Sequence, residues 1–231
     1  MFKPLILDIH KLNYDIANIN IVNNFSLKVH LGEIIVLLGA SGCGKTSILN
    51  TIAGINKAYF DKFFMQKINI SYVFQEANLI PFYNAFKNIK LANNKLNDEE
   101  IYKILSLLNL NKNDALKYPN ELSGGMKTRI NFARAILANP TLLLLDEPFN
   151  GINYELKDFL INFLITFIKN NNKSAIMVTH DRLEALKIAD YIYFLGKNSY
   201  VKKIIKLDTA QSKRNDDFYK QYLNNFELYY E

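Results

Sequence analysis

The chain has 231 residues, 49% of them hydrophobic, with 28 Lys and Arg against 22 Asp and Glu for a formal charge of +6. A single cysteine, Cys43, excludes an internal disulfide, and three scattered histidines exclude a zinc cluster. The positive balance does not point to nucleic acid, because the basic residues are dispersed and form no Arg-rich run or aromatic-interleaved ribbon.

This length suits one α/β domain carrying a small subdomain. The longest near-apolar stretch, Phe159 to Ile168, is too short to span a bilayer and is interrupted by Asn162 and Thr166. The start, MFKPLILDIH, lacks the long apolar core and small-residue cleavage site of a signal peptide. The expectation is therefore a soluble cytoplasmic protein that reaches membranes through partners.

Residues 5–31 alternate polar and apolar, as in FSLKV at Phe25 to Val29, which predicts antiparallel strands of a half-buried sheet. After a turn at Gly32, GEIIVLLG is a short apolar run that feeds GASGCGKT at Gly39 to Thr46. That segment matches the phosphate-cradling pattern G-x-x-x-x-G-K-[ST], in which backbone N–H groups face the phosphates, lysine reaches the terminal phosphates and the hydroxyl holds Mg²⁺. Gly39, Ala40, Ser41, Gly42, Cys43, Gly44, Lys45, Thr46 and Ser47 are thus the candidate ATP-binding residues, with Thr46 also a candidate Mg²⁺ ligand. KTSILNTIAG reads as the helix after the loop, stopped by Gly54.

Residues 84–119 carry helical periodicity, with Ile101, Ile104, Leu105 and Leu108 on one side, and end in a Tyr118-Pro119 break before ELSGGM. MKTRINFARAILANP is again helical and stops before Pro140. TLLLLDEP predicts a fully buried parallel strand with the acidic pair Asp146 and Glu147 at its C-terminal end, where open α/β sheets place ligands. An amphipathic helix from about Tyr154 to Lys169 leads to the strand SAIMVTH and a helix beginning near Asp181. The tail from about Asp208 is polar and aromatic, with one weak amphipathic stretch at Phe218 to Phe226. Of nine glycines, five fall in GASGCGKT and LSGG, which favours two backbone-built anion sites over ordinary turns.

The ordered set GASGCGKT, LSGGM, LLLLDEP and VTH resembles the ATP-binding subunit of an ABC transporter, from about Leu5 to Leu207. ELSGGM with VFQEANLIPF, DEPFNG and THDRLEAL looks like the nitrate, sulfonate, taurine and thiamine-precursor importer branch. The fold this implies is an α/β P-loop NTPase of ABC type, with a mixed sheet, an antiparallel β edge and a helical insert at about 76–121. The expected division is an ATPase domain at 1–207 and a short C-terminal tail at 208–231.

In the resembling family Asp146 supports Mg²⁺, Glu147 polarises the attacking water, Gln75 touches both the metal and the water, and His180 steadies that water beside the γ-phosphate. Tyr14 stands at about the family's distance for an adenine-stacking aromatic. The resemblance implies that Ser123, Gly124 and Gly125 close over the γ-phosphate bound by a second copy, so that ATP would join a head-to-tail homodimer. The implied partners are transmembrane permease subunits and an extracytoplasmic solute-binding protein, with the chain peripheral at the cytoplasmic face of the membrane. ATP hydrolysis would energise uptake of a small solute.

The sequence departs from the family pattern in three places. Asn150-Gly151-Ile152-Asn153 stands where S-A-L-D is expected, so the loop bridging the two nucleotide sites lacks its carboxylate. Only 20 residues separate Gly54 from Gln75, without the usual glycine-bearing hairpin, and Lys127 and Thr128 follow LSGGM where glutamine is common. Rival readings that share the motifs are an exporter or lipid-extraction ATPase, a soluble clamp acting on ribosomes or DNA, and a weakly hydrolysing structural subunit.

Overall fold

A computed structural model describes residues 3–93 and 95–226. Residues 1 and 2 of the expected ATPase domain, Asn94 of the expected insert and 227–231 of the expected tail lie outside the described residues. Among the described residues nine strands form two sheets. β1 (Leu5–Ile16) and β2 (Ile19–His30) make an antiparallel pair, and β4 (Lys62–Met65) adds to the other edge of β1. The second sheet runs β5 (Ile70–Val73), β6 (Leu142–Asp146), β7 (Ser174–Thr179), β3 (Ile34–Gly39), β8 (Tyr191–Leu195), β9 (Val201–Lys206). All neighbours in it are parallel except β8 and β9.

The two kinds of sequence pattern have one cause. Every residue of β3, β6 and β7 is buried, because both faces of the central sheet are covered, so these strands are apolar runs with polar residues only at their ends, Asp146 in β6 and Ser174 and Thr179 in β7. Their side chains still alternate between two cores. Val36, Leu145 and Met177 point into one, with the helices, while Leu37, Leu144 and Val178 point into the other, shared with the antiparallel sheet. β1 and β2 face this second core largely with alternate residues, Leu7 and Ile9 on β1 and Phe25, Leu27 and Val29 on β2, which leaves the polar-apolar alternation read in the sequence, although Ile6 beside Leu7 is buried there too.

The phosphate-loop helix α1 (Lys45–Ile52) buries Ile48, Leu49 and Ile52 in the second core, and Gly54 follows it at φ +75°. The insert holds α2 (Ala85–Lys90), α3 (Asp98–Leu107) and α4 (Lys112–Leu116), with residues 76–84 running as loop and turn. Asn97 with Glu100, and Asn111 with Asp114, form capping boxes that start α3 and α4. α5 (Gly124–Leu137), α6 (Tyr154–Asn170) and α7 (Arg182–Ile188) cover the first core.

The shortened stretch between Gly54 and Gln75 is divided between the sheets: β4 joins β1, and β5 joins β6. The aromatic stretch near the C-terminus is α8 (Asp216–Phe226), and it packs on the body of the fold. Phe226 meets Phe194 of β8 edge to face, with ring centroids 4.8 Å apart. The Arg214 guanidinium before α8 donates to the carbonyls of Leu186, Lys187, Ala189 and Thr209, closing the C-terminal end of α7.

Candidate functional site

Register brings the motifs to one edge. Val73 pairs with Leu145, Asp146 with Val178, and Leu38 with Thr179, so β5, β6, β7 and β3 end together. Parallel strands place their C-terminal ends on one side, and the loops leaving them carry Gln75, Asp146 with Glu147, His180 and the phosphate loop. Four segments spread over more than 100 residues of sequence therefore share one rim.

The phosphate loop turns through Gly42 at φ +78° and Gly44 at φ +105°. Gly44 is also the N-cap of α1, so no side chain satisfies the first N–H groups of that helix, and they remain available to an anion. A Cβ at Gly44 would stand 2.4 Å from Ser199 Oγ and 2.7 Å from the Ile21 carbonyl oxygen, so the chain can pass there only as glycine. Lys45 is buried, and its ammonium donates to the carbonyls of Gly39 and Ala40 at 2.8 Å each. A cavity of about 310 Å³ opens beside the loop between Ser41–Cys43 and Leu195–Lys197.

Thr46 Oγ1 donates to Asp146 Oδ1 at 3.0 Å across 100 residues of sequence. Burial pushes the Asp146 carboxyl up from its ordinary value, while the Thr46 hydroxyl works in the opposite direction. A hydroxyl and a carboxylate in contact at the foot of a phosphate loop suit Mg²⁺, which takes hard oxygen ligands and completes its shell with phosphate and water. Among the described residues no cluster of three or more His, Cys, Asp or Glu offers a different metal centre. The residues present thus fit both the nucleotide and the metal.

Glu147 adopts φ +42°, an uncommon backbone for a non-glycine residue, while its N–H donates to the Val178 carbonyl at 3.0 Å. This bend leaves Glu147 Oε1 3.3 Å from His180 Nδ1 and Oε2 3.4 Å from Asn150 Nδ2. The His180 side chain is 54% exposed, so it is not a buried core histidine. Gln75 is exposed two residues past β5. Ser123 is the exposed N-cap of α5, accepting from the Met126 N–H at 3.3 Å, and Gly124 beside it is exposed. Tyr14 lies on β1 opposite Val22, half-buried against the second core, and does not line the cavity beside the loop.

Several supporting residues escaped the sequence reading. Ser199 is fully buried, and both its N–H and its hydroxyl donate to the Cys43 carbonyl, at 2.7 and 2.9 Å. Tyr72 donates to Asn50 Oδ1 at 2.9 Å and stands 3.5 Å from Asp146 Oδ2; burial, followed by the nearby Asp146 charge, raises the Tyr72 pKa. Arg134 of α5 donates to the carbonyls of Ala77 and Asn78, fastening the loop after Gln75. A serine, a tyrosine or an arginine in a strand, turn or helix carries no local mark of such a role; Tyr72, directly before VFQEANLIPF, and Arg134, on the helix that begins in LSGG, sit near motifs.

The ABC transporter family model matches residues 22–150. The Fe(3+) ions import ATP-binding protein FbpC of Haemophilus influenzae is 34% identical over 92% of this chain and 65% of its own length. The nitrate import ATP-binding protein NrtC of Synechocystis is 36% identical over 80% of this chain and 30% of its own. The chain therefore spans less than two thirds of the length of these curated relatives. Among solved structures, a dimeric post-hydrolysis state of the ATP-binding cassette MJ0796 bound to ADP and Pi superposes with a TM-score of 0.79 at 26% identity, over 89% of this chain and all of that one. With its mixed sheet, antiparallel edge and helical insert, the fold is that of an ABC ATPase, and the chain belongs to the ABC transporter family.

Proposed function

We propose that the chain is the ATP-binding and hydrolysing subunit of an ABC importer, acting as a homodimer beneath a permease at the cytoplasmic face of the membrane. The observation that carries this reading is the placement of Glu147 and His180 3.3 Å apart on the rim that also holds the phosphate loop. Lys45 exchanges its carbonyl partners for the terminal phosphates of ATP, and the open N–H groups of α1 take the remaining phosphate charge. Thr46 and Asp146, with Gln75 from the neighbouring loop, would hold Mg²⁺, which neutralises charge on the phosphates as the γ-phosphoryl group transfers. Glu147 accepts the proton of the attacking water, and His180 orients that water and the carboxylate. Tyr14 is the proposed adenine contact.

Ser123, Gly124 and Gly125 stand at the start of a 14-residue helix and offer an exposed N-terminus to the γ-phosphate held by a second copy. Phe82 is 71% exposed on the loop that follows Gln75, beside Pro81, Tyr118, Asn120 and Glu121, a surface suited to a permease. Among the described residues no helix is long and apolar enough to cross a membrane, which supports a separate membrane partner. The ATPase domain is taken as 1–207 with its insert at 76–121, followed by the segment 208–231. The solute is a small molecule such as nitrate or a sulfonate, delivered by an extracytoplasmic binding protein; the likeness to the Synechocystis nitrate import protein supports this choice.

Glu147→Gln tests the reading, because it removes the proton acceptor and leaves the phosphate contacts in place. Sedimentation should show a dimer that persists at saturating ATP, with hydrolysis lost. A variant that remains monomeric with ATP, or that hydrolyses at the normal rate, would overturn the assignment.

A further inference from the structure

His180 is exposed, so neighbouring side chains do little to hold its ring, and its aim depends on the backbone that carries it. That backbone is clamped from both sides. Thr179 Oγ1 donates to Glu184 Oε2 at 2.6 Å and accepts from the Asp181 N–H at 3.0 Å, so one hydroxyl bridges across His180. Asp181 Oδ1 accepts from the N–H groups of Leu183 and Glu184, at 2.8 and 3.1 Å, and starts α7. Lys157 closes the ring, with its ammonium 2.6 Å from Glu184 Oε1 and 3.2 Å from Asp181 Oδ2.

Glu184 is 5% exposed, and each of its carboxylate oxygens has a close partner. Burial alone would lower the Lys157 pKa, yet the hydrogen bond and charge of Glu184, then those of Asp181, leave it raised. For stability alone, a buried ion pair gains little over apolar side chains of the same volume. This pair, however, is joined to both flanks of His180 and shares a small cavity of about 80 Å³ with Glu147 and His180. Lys157 also sits one turn into α6, its N–H making the helical bond to the carbonyl of Asn153, so the first turn of α6 joins the end of the loop 150–153 to the ion pair that flanks His180.

We propose that Lys157 and Glu184 are positioning residues that fix His180 against Glu147 and transmit to it the conformation of the loop ending at Asn153. This rests on the hydrolytic reading of the site given above. The pair touches neither nucleotide nor water; it acts through the histidine.

ATP turnover by the full chain decides the matter, using the double substitution Lys157→Met with Glu184→Gln. This variant removes both charges of the pair, so Glu184 is not left as an unpaired buried carboxylate, and Asp181, which loses the Lys157 ammonium, keeps the N–H groups of Leu183 and Glu184; circular dichroism and a thermal midpoint verify its fold. We expect kcat to fall about tenfold with the KM for ATP within about twofold, and Lys157→Arg to retain most of the rate. In a His180→Ala background the same double substitution should change kcat less than about twofold, because the residue it acts through is gone. A loss that is fully additive with His180→Ala, or one that appears in KM alone, overturns the inference and leaves the site reading standing. A His180→Ala chain with normal turnover overturns the site reading, and the inference with it.

Discussion

Alanine at Gly44 and alanine at Gly42 form a matched pair, because both positions have positive φ, +105° and +78°, but only one is crowded. At Gly42 an added Cβ meets nothing within 4 Å, so the cost is that of the backbone conformation, about 1–3 kcal/mol. At Gly44 the same atom stands 2.4 Å from Ser199 Oγ and 2.7 Å from the Ile21 carbonyl oxygen. Neither neighbour can yield easily, since the serine hydroxyl is bonded to Cys43 and the carbonyl belongs to β2. Overpacking adds roughly 1–3 kcal/mol, for a total of about 2–6. That difference should appear as a lower urea midpoint for Gly44→Ala than for Gly42→Ala. Where the loop shifts without unfolding, it appears as ATP affinity weakened a further roughly 5- to 150-fold. Equal midpoints together with equal affinities in the two variants would refute the claim that Ser199 and β2 constrain the loop at this point.

Lys45→Ala should leave the fold intact and abolish ATP binding, since the ammonium's own partners are two carbonyls of its loop; titration with a fluorescent nucleotide measures this, and unchanged affinity would remove the loop from the mechanism. Asn153 caps α6 by accepting from the Leu156 N–H at 2.9 Å, and Asn153→Asp keeps that acceptor while adding a charge at the helix N-terminus worth about 0.3–1 kcal/mol. The thermal midpoint should hold or rise, and ATP turnover or its Hill coefficient in the assembled transporter should increase; no change in either kinetic quantity would mark the position as neutral. The Asp181 carboxyl is held below its ordinary range: burial opposes this, but the Glu184 N–H and the Lys157 ammonium outweigh it. A depressed folded pKa stabilises the protein above the unfolded value and stops doing so as pH falls through the folded one. The stability gap between the unmodified chain and Asp181→Asn should therefore be largest near neutral pH and close below about pH 4, where the unfolded carboxyl protonates. A gap independent of pH would show that the charge of Asp181 contributes nothing.

Signals that live within one segment were legible in the sequence. The start of α1 at Lys45, its stop at Gly54 and the alternation of β1 and β2 all follow from glycine placement and from apolar periods of 3.6 or 2. The fully buried character of β6 was equally plain, because a strand covered on both faces carries apolar residues along its length and keeps a polar one, Asp146, only at its end. The aromatic stretch near the C-terminus showed only a weak amphipathic pattern at Phe218 to Phe226, and neither the length of α8 nor the contact of Phe226 with Phe194 in the core was visible in it.

Tertiary structure decided the rest. That β3 lies between β7 and β8 is a matter of strand order, which no single segment encodes, and this order with its register brings Thr46 to Asp146 and Glu147 to His180. Ser199 reaching the Cys43 carbonyl across 156 residues, and Lys157 reaching Glu184, depend on the distance between elements packed by their apolar faces. A polar side chain in a helix or turn looks the same in the sequence whether it faces water or a partner from another element. The sequence by itself therefore determined the elements around the motifs and what chemistry those motifs carry, because backbone preference and apolar period are local, whereas β4, β5, β8 and β9 were not read from it. Which groups meet, and how the Glu147 backbone bends to present its carboxylate, arises only when several elements bury their apolar faces against one another.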